Sequence, residues 1–145
     1  MQGRMAITQR DGLVVIDDTY NANPDSLRAA LEVLRGIECT GRKIAVIGDM
    51  LELGPMARRL HAEAGSQLFS SGVDVLLTVG PLACALLEAA RQEGLAESAS
   101  RSFAEPEGAA DFLWGMVRSG DVILVKGSRG MQMERVLACF TTSTR

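Results

Sequence analysis

Along this chain short apolar runs alternate with stretches in which apolar residues return every three or four positions. Residues 5–10 and 13–17 read as extended segments around Asp11-Gly12, where the glycine supplies the positive φ of a tight turn, so the chain is expected to open with a β-hairpin. From Pro24 the spacing of Leu27, Ala30, Leu31 and Leu34 predicts a helix, with Asn23 as N-cap, Pro24 at the first helical position and Gly36 as stop. A buried strand over 43–47 ends at Gly48-Asp49, and a helix over 58–69 stops at Gly72. The run 73–79, apolar apart from Asp74, reads as a strand covered on both faces. Gly80-Pro81 starts a helix to about residue 93 closed by Gly94, followed by a weak strand over 99–103, a helix over 107–117 and a strong strand over 121–125. A last helix is expected over 131–140 and a frayed tail over 141–145.

Strands and helices in this alternation predict an α/β domain with a mainly parallel sheet of about six strands, the first hairpin strand being the antiparallel member. The 145 residues are read as one domain. With 47% hydrophobic and 23% charged residues the composition is globular, and a net charge of −3 gives a phosphate backbone little to hold, so nucleic acid is not expected as a partner. Cys39, Cys84 and Cys139 are scattered and His61 is the only histidine, which argues for reduced thiols and against a zinc site. No apolar run approaches the ~18 residues of a spanning helix, nor is there a signal-peptide stretch, so no membrane insertion and a cytoplasmic location are expected.

In parallel sheets ligands sit beyond the carboxyl ends of the strands. Polar residues stand at four such ends: Asp17-Asp18 leading to Asn21 and Asn23, Gly48-Asp49, Gly80, and Lys126-Gly127-Ser128-Arg129-Gly130. All are expected to converge on one edge. Each has a plain structural alternative: the asparagines suit turns and caps, Gly48-Asp49 suits a strand-to-loop turn, and His61 suits a satisfied place on a helix face. Asp17 and Asp18, being adjacent, should point to opposite faces, one structural and one functional. Lys126 is harder to read as scaffold, because with Ser128 and Arg129 it offers cations, a hydroxyl and exposed amides to an anion. Neither G-x-x-x-x-G-K-[ST] nor G-x-G-x-x-G after the first strand occurs, so neither a self-sufficient NTPase nor a dinucleotide enzyme is supported.

The stretch from Asp17 to Leu27, the loop IGDMLELG at 47–54, His61 with Gly65 four residues on, and VKGSRGMQME at 125–134 resemble the C-terminal domain of the Mur ligases, closest to the type that adds D-alanyl-D-alanine to UDP-N-acetylmuramoyl tripeptide. The resemblance implies a Rossmann-like three-layer fold. It also implies that UDP-sugar and ATPase domains lie outside this chain, that ATP and Mg2+ are bound mainly by the ATPase domain, and that the isolated chain is inactive. In that family ATP activates a peptide carboxylate as an acyl phosphate, which the amine of the dipeptide attacks. Arg4 then matches an arginine near the ATP phosphates and Asp18 an aspartate accepting from the ribose hydroxyls. Asn21, Asn23, Asp49, Gly80, Lys126, Ser128 and Arg129 fall where relatives hold the incoming amino acid or dipeptide. On this reading Asp18 serves a nucleotide edge and Lys126 a separate dipeptide edge, distinguishable by mutation. The alternative is a phospho-receiver or other stand-alone Rossmann-like module, with Asp17-Asp18, Asp49 and Lys126 as its acidic and basic groups.

Overall fold

The computed structural model describes residues 3–142. Two strands, β1 (Ala6–Arg10) and β2 (Leu13–Asp18), form the expected antiparallel hairpin, and Asp11 and Gly12 both take positive φ (53° and 78°) in its turn. After them come α1 (Pro24–Gly36), β3 (Lys43–Gly48), α2 (Ala57–Ser70), β4 (Val75–Val79), α3 (Ala83–Glu93), β5 (Ser100–Phe103), α4 (Pro106–Met116), β6 (Val122–Lys126) and a short α5 (Ala138–Thr142). The sheet order is β1-β2-β6-β3-β4-β5, every pair parallel except the first.

Side chains alternate across each strand, and the two faces bury two different sets of partners. Ile16, Ala45, Ile47, Leu76, Val122 and Leu124 pack with residues of α1, α2 and α3. Val15, Ile44, Val46, Leu77, Ile123 and Val125 pack with α4 and the turns before α5. The result is the three-layer α/β arrangement predicted from the sequence. The chain leaves β2 and β3 toward one face and β6, which lies between them, toward the other. This divergence opens a crevice at the carboxyl end of β6.

Local details differ from the sequence reading in two places. Asp74 does not interrupt a strand. It precedes β4, and its backbone N–H and its carboxylate engage the Lys43 carbonyl and amide (2.8 Å each), clamping the start of β3. The single helix expected over 131–140 is instead 3-10 turns at Arg129–Met131 and Met133–Leu137, with left-handed Gln132 between them (φ 53°, ψ 47°), before α5. That turn drops Met133, fully buried, onto Gly48 and Gly127, where an added Cβ would lie 2.6 Å from its Sδ and 2.5 Å from its Cγ respectively. Helical periodicity carries no trace of such a contact. Of the expected tail, Thr141 and Thr142 belong to α5 and 143–145 lie outside the described residues.

At the opposite end of the sheet from the crevice, Asp121 joins three segments. Its carboxylate accepts from the amides of Arg42 (2.8 Å) and Arg118 (2.9 Å) and from the Arg42 guanidinium (2.8 Å). Burial pushes its pKa up, but the bonds from Arg42 and Arg118 outweigh this and hold it below the usual carboxylate range. A depressed folded-state pKa stabilises the native state above the unfolded value, about 3.9, and this contribution disappears as pH falls through the folded value. Asp121→Asn is therefore expected to lower stability at neutral pH, with the gap to the parent closing below about pH 4 in urea unfolding series.

Candidate functional site

The crevice is built from consecutive sheet neighbours. In the β2–β6 ladder Asp18 stands directly opposite Lys126, and the period of two puts both side chains on the same face. Lys126 Nζ donates to Asp18 Oδ2 at 2.7 Å and to the Asn21 carbonyl at 3.0 Å. The pair is buried, the two side chains being 2% and 13% exposed. Asp18 Oδ1 accepts from Met5 N–H at 3.0 Å, and Tyr20 N–H donates to the Gly3 carbonyl at 2.7 Å. Residues 3–5 are thus strapped across the loop that follows β2. Asp17, on the other side of the strand, accepts from the Thr19 hydroxyl (2.7 Å), so the adjacent acids point to opposite faces as expected.

Most of the remaining polar groups hold loops in place. Asn23 caps α1, its Oδ1 accepting from Ser26 N–H (2.8 Å) while Ser26 Oγ accepts from Asn23 N–H (3.0 Å). Asp49 is buried and accepts from Ala83 N–H at 2.7 Å, capping α3 from a different strand. Gly80 lies against that carboxylate, since a Cβ there would sit 2.5 Å from Asp49 Oδ1, and its φ of +107° also excludes most side chains. Ser128 Oγ accepts from Leu51 N–H (2.7 Å) and donates to the Ala22 carbonyl (3.3 Å). His61, fully buried on α2, accepts from Met50 N–H at Nε2 (2.9 Å) and faces the Ala57 carbonyl with Nδ1 (2.7 Å). The latter contact makes Nδ1 the protonated nitrogen.

The four predicted strand ends therefore do meet at one edge, but in a changed division of labour. Lys126 was expected to offer its charge to an anion, and its charge is neutralised by Asp18. The two supposedly separate edges are one ion pair. Asp49, Asn23 and Ser128 spend their side chains on backbone groups. Of the predicted residues at this edge Arg4, Asn21, Asn23 and Arg129 remain exposed, Asn23 with its amide oxygen committed to the α1 cap, and so does Tyr20, which sequence reasoning passed over. The Tyr20 ring, 39% exposed, lies under the Arg4 guanidinium (centroid distance 3.8 Å) with that of Arg129 at 5.1 Å. Its only sequence signal was an aromatic residue in an otherwise polar loop.

A family model described as the Mur ligase, glutamate ligase domain matches residues 3–129, from the strap through the loop after β6. The chain belongs to this family. A UDP-N-acetylmuramoyl-tripeptide--D-alanyl-D-alanine ligase of Bacillus subtilis is 33% identical over 135 residues, covering 92% of this chain. MurF of Acinetobacter baumannii superposes with a TM-score of 0.85 at 33% identity over 99% of the chain, and MurF ligase of Thermotoga maritima, solved in complex with ADP, with 0.79 at 31% identity over 97%. The Mur ligase domain described here spans 29% of the Bacillus protein and 31% and 30% of the two solved chains. Among the described residues no helix is long and apolar enough to cross a membrane.

Proposed function

We propose that this chain is the C-terminal domain of an ATP-dependent ligase that joins D-alanyl-D-alanine to UDP-N-acetylmuramoyl tripeptide in the bacterial cytoplasm, and that it acts only together with UDP-sugar and ATPase domains outside these residues. The observation that carries this reading is the alignment over 92% of the chain, at 33% identity, with a ligase of that activity. In this proposal ATP converts the tripeptide carboxylate to an acyl phosphate, releasing ADP. The dipeptide amine then attacks the acyl carbon, the amide bond forms and phosphate departs.

The domain supplies part of the surface on which these groups are aligned. Arg4 and Arg129 present positive charge to phosphate oxygens or to the dipeptide carboxylate. Asp18 accepts one bond at each oxygen from Met5 and Lys126, which leaves acceptor capacity for ribose hydroxyls. Asn21 keeps an exposed amide for the dipeptide. For Asn23, Asp49, Gly80, Lys126 and Ser128 the geometry favours a supporting part, shaping the loops that carry the exposed groups. Mg2+ does not fit this chain's residues: among those described no three His, Cys, Asp or Glu side chains converge, and no step here runs through it. The receiver alternative loses its acceptor, because Asp49 is buried beneath its bond to Ala83.

Exchange of the matching segment of the Bacillus ligase for this chain tests the proposal. The chimera is expected to consume ATP only when both tripeptide nucleotide and D-alanyl-D-alanine are present, while the isolated chain turns over none. Steady ATP hydrolysis by the isolated chain, or a soluble chimera without dipeptide-dependent turnover, overturns it.

A further inference from the structure

Two guanidinium groups converge on one exposed aromatic ring at the mouth of the crevice. The other cation there, Lys126, is neutralised by Asp18, but among the described residues neither Arg4 nor Arg129 has a carboxylate within ion-pair distance. Like charges gathered without a counterion repel each other, and that repulsion is relieved when an anion enters between them. Both arginines are also held by the backbone. Arg4 lies between Gly3, bonded to Tyr20 N–H, and Met5, bonded to Asp18. Arg129 follows Ser128, which is tied to Asp49, Leu51 and Ala22.

We propose that Tyr20 is a positioning residue whose ring holds Arg4 and Arg129 together as one clamp for a phosphoryl dianion. The face of the ring attracts each cation and restricts the sweep of two long side chains. A planar carboxylate is satisfied by the fork of a single guanidinium, whereas a tetrahedral dianion has oxygens enough for two. The clamp deepens the ligase reading, since that reaction passes a phosphoryl group from ATP through an acyl phosphate to free phosphate, but its test does not depend on ligase activity.

Tyr20 is the only tyrosine of the chain, so 3-fluorotyrosine labelling yields one fluorine resonance that reports this ring alone. At constant ionic strength, inorganic phosphate at a pH where it is the dianion is expected to shift that resonance saturably, and acetate is not. The Nε–Hε resonances of Arg4 and Arg129 should move with the same apparent Kd. Followed on the arginine resonances, Tyr20→Ala and Arg129→Gln should each weaken phosphate binding about tenfold, and Tyr20→Phe should stay within about twofold of the parent. Tm should be unchanged in all three. Rescue by phenylalanine separates a ring that positions cations from a hydroxyl that binds the ligand. Equal shifts with acetate overturn the phosphoryl assignment, and parental phosphate affinity in Tyr20→Ala or Arg129→Gln overturns the clamp. An inactive chimera alongside intact phosphate binding would reject the ligase reading and keep the clamp; an active chimera with no phosphate response would do the reverse.

Discussion

Lys126→Met is expected to destabilise the domain by about 3 to 5 kcal/mol, the range for removing one partner of a buried ion pair, which at this chain length lowers Tm by roughly 10 to 15 °C. Methionine keeps the length and most of the volume of the lysine stem, so packing changes little. What remains is the Asp18 carboxylate, 13% exposed, with no cation beside it, and the Asn21 carbonyl without its donor. Adding Asp18→Asn removes the stranded charge while leaving an amide oxygen for Met5 N–H. The double variant should recover about 1 to 3 kcal/mol relative to Lys126→Met alone. Urea unfolding of the parent, both single variants and the double variant measures this. A cost below about 1 kcal/mol for Lys126→Met, or strict additivity, would mean the pair does not hold these loops. In the chimeric ligase either single substitution should depress kcat/KM for ATP and for the dipeptide together. This differs from the separable edges suggested by sequence alone, because Asp18 anchors Met5 beside Arg4 and Lys126 anchors Asp18.

The second large effect is expected where α2 crosses α3. A Cβ on Gly65 would lie 2.1 Å from the Leu86 carbonyl oxygen and 2.9 Å from its carbon, both backbone atoms of α3 that cannot rotate away. Alanine at a helical glycine normally gains up to about 1 kcal/mol in propensity. Here the two helices must move apart, and overpacking costs about 1 to 3 kcal/mol or more. The steric cost wins, so Gly65→Ala should lose stability and Gly65→Val should lose more. Gly115, in α4, gives the control: no atom lies within 4 Å of its would-be Cβ, and Gly115→Ala should be neutral or stabilising by up to about 1 kcal/mol. Chemical denaturation of the three variants decides it. Equal responses at Gly65 and Gly115 would show that helix propensity, not the close crossing, sets the outcome.

By itself the sequence determined most of the elements and the mainly parallel α/β sheet, because those follow from local periodicity and local chemistry. Asp11-Gly12 favours a hairpin turn, Asn23-Pro24 marks a helix start through capping chemistry that is local, and apolar runs such as 122–125 are satisfied when covered on both faces. The sequence also located the strand ends that meet at the crevice. Only the tertiary structure decided what each polar side chain there does. Whether Lys126 meets a ligand or Asp18 depends on the register of two strands more than a hundred positions apart in sequence. Whether Asp49 is exposed depends on where α3 begins in space. The break at Gln132 depends on the depth at which Met133 finds Gly48 and Gly127. Tyr20 is invisible to periodicity for the same reason: an aromatic residue in a polar loop has no distinguishing spacing, and its place beside two arginines exists only once the strap before β1 and the turn after β6 are folded against it. Periodicity is a property of neighbours along the chain, whereas the partner of a charge is fixed by long-range packing.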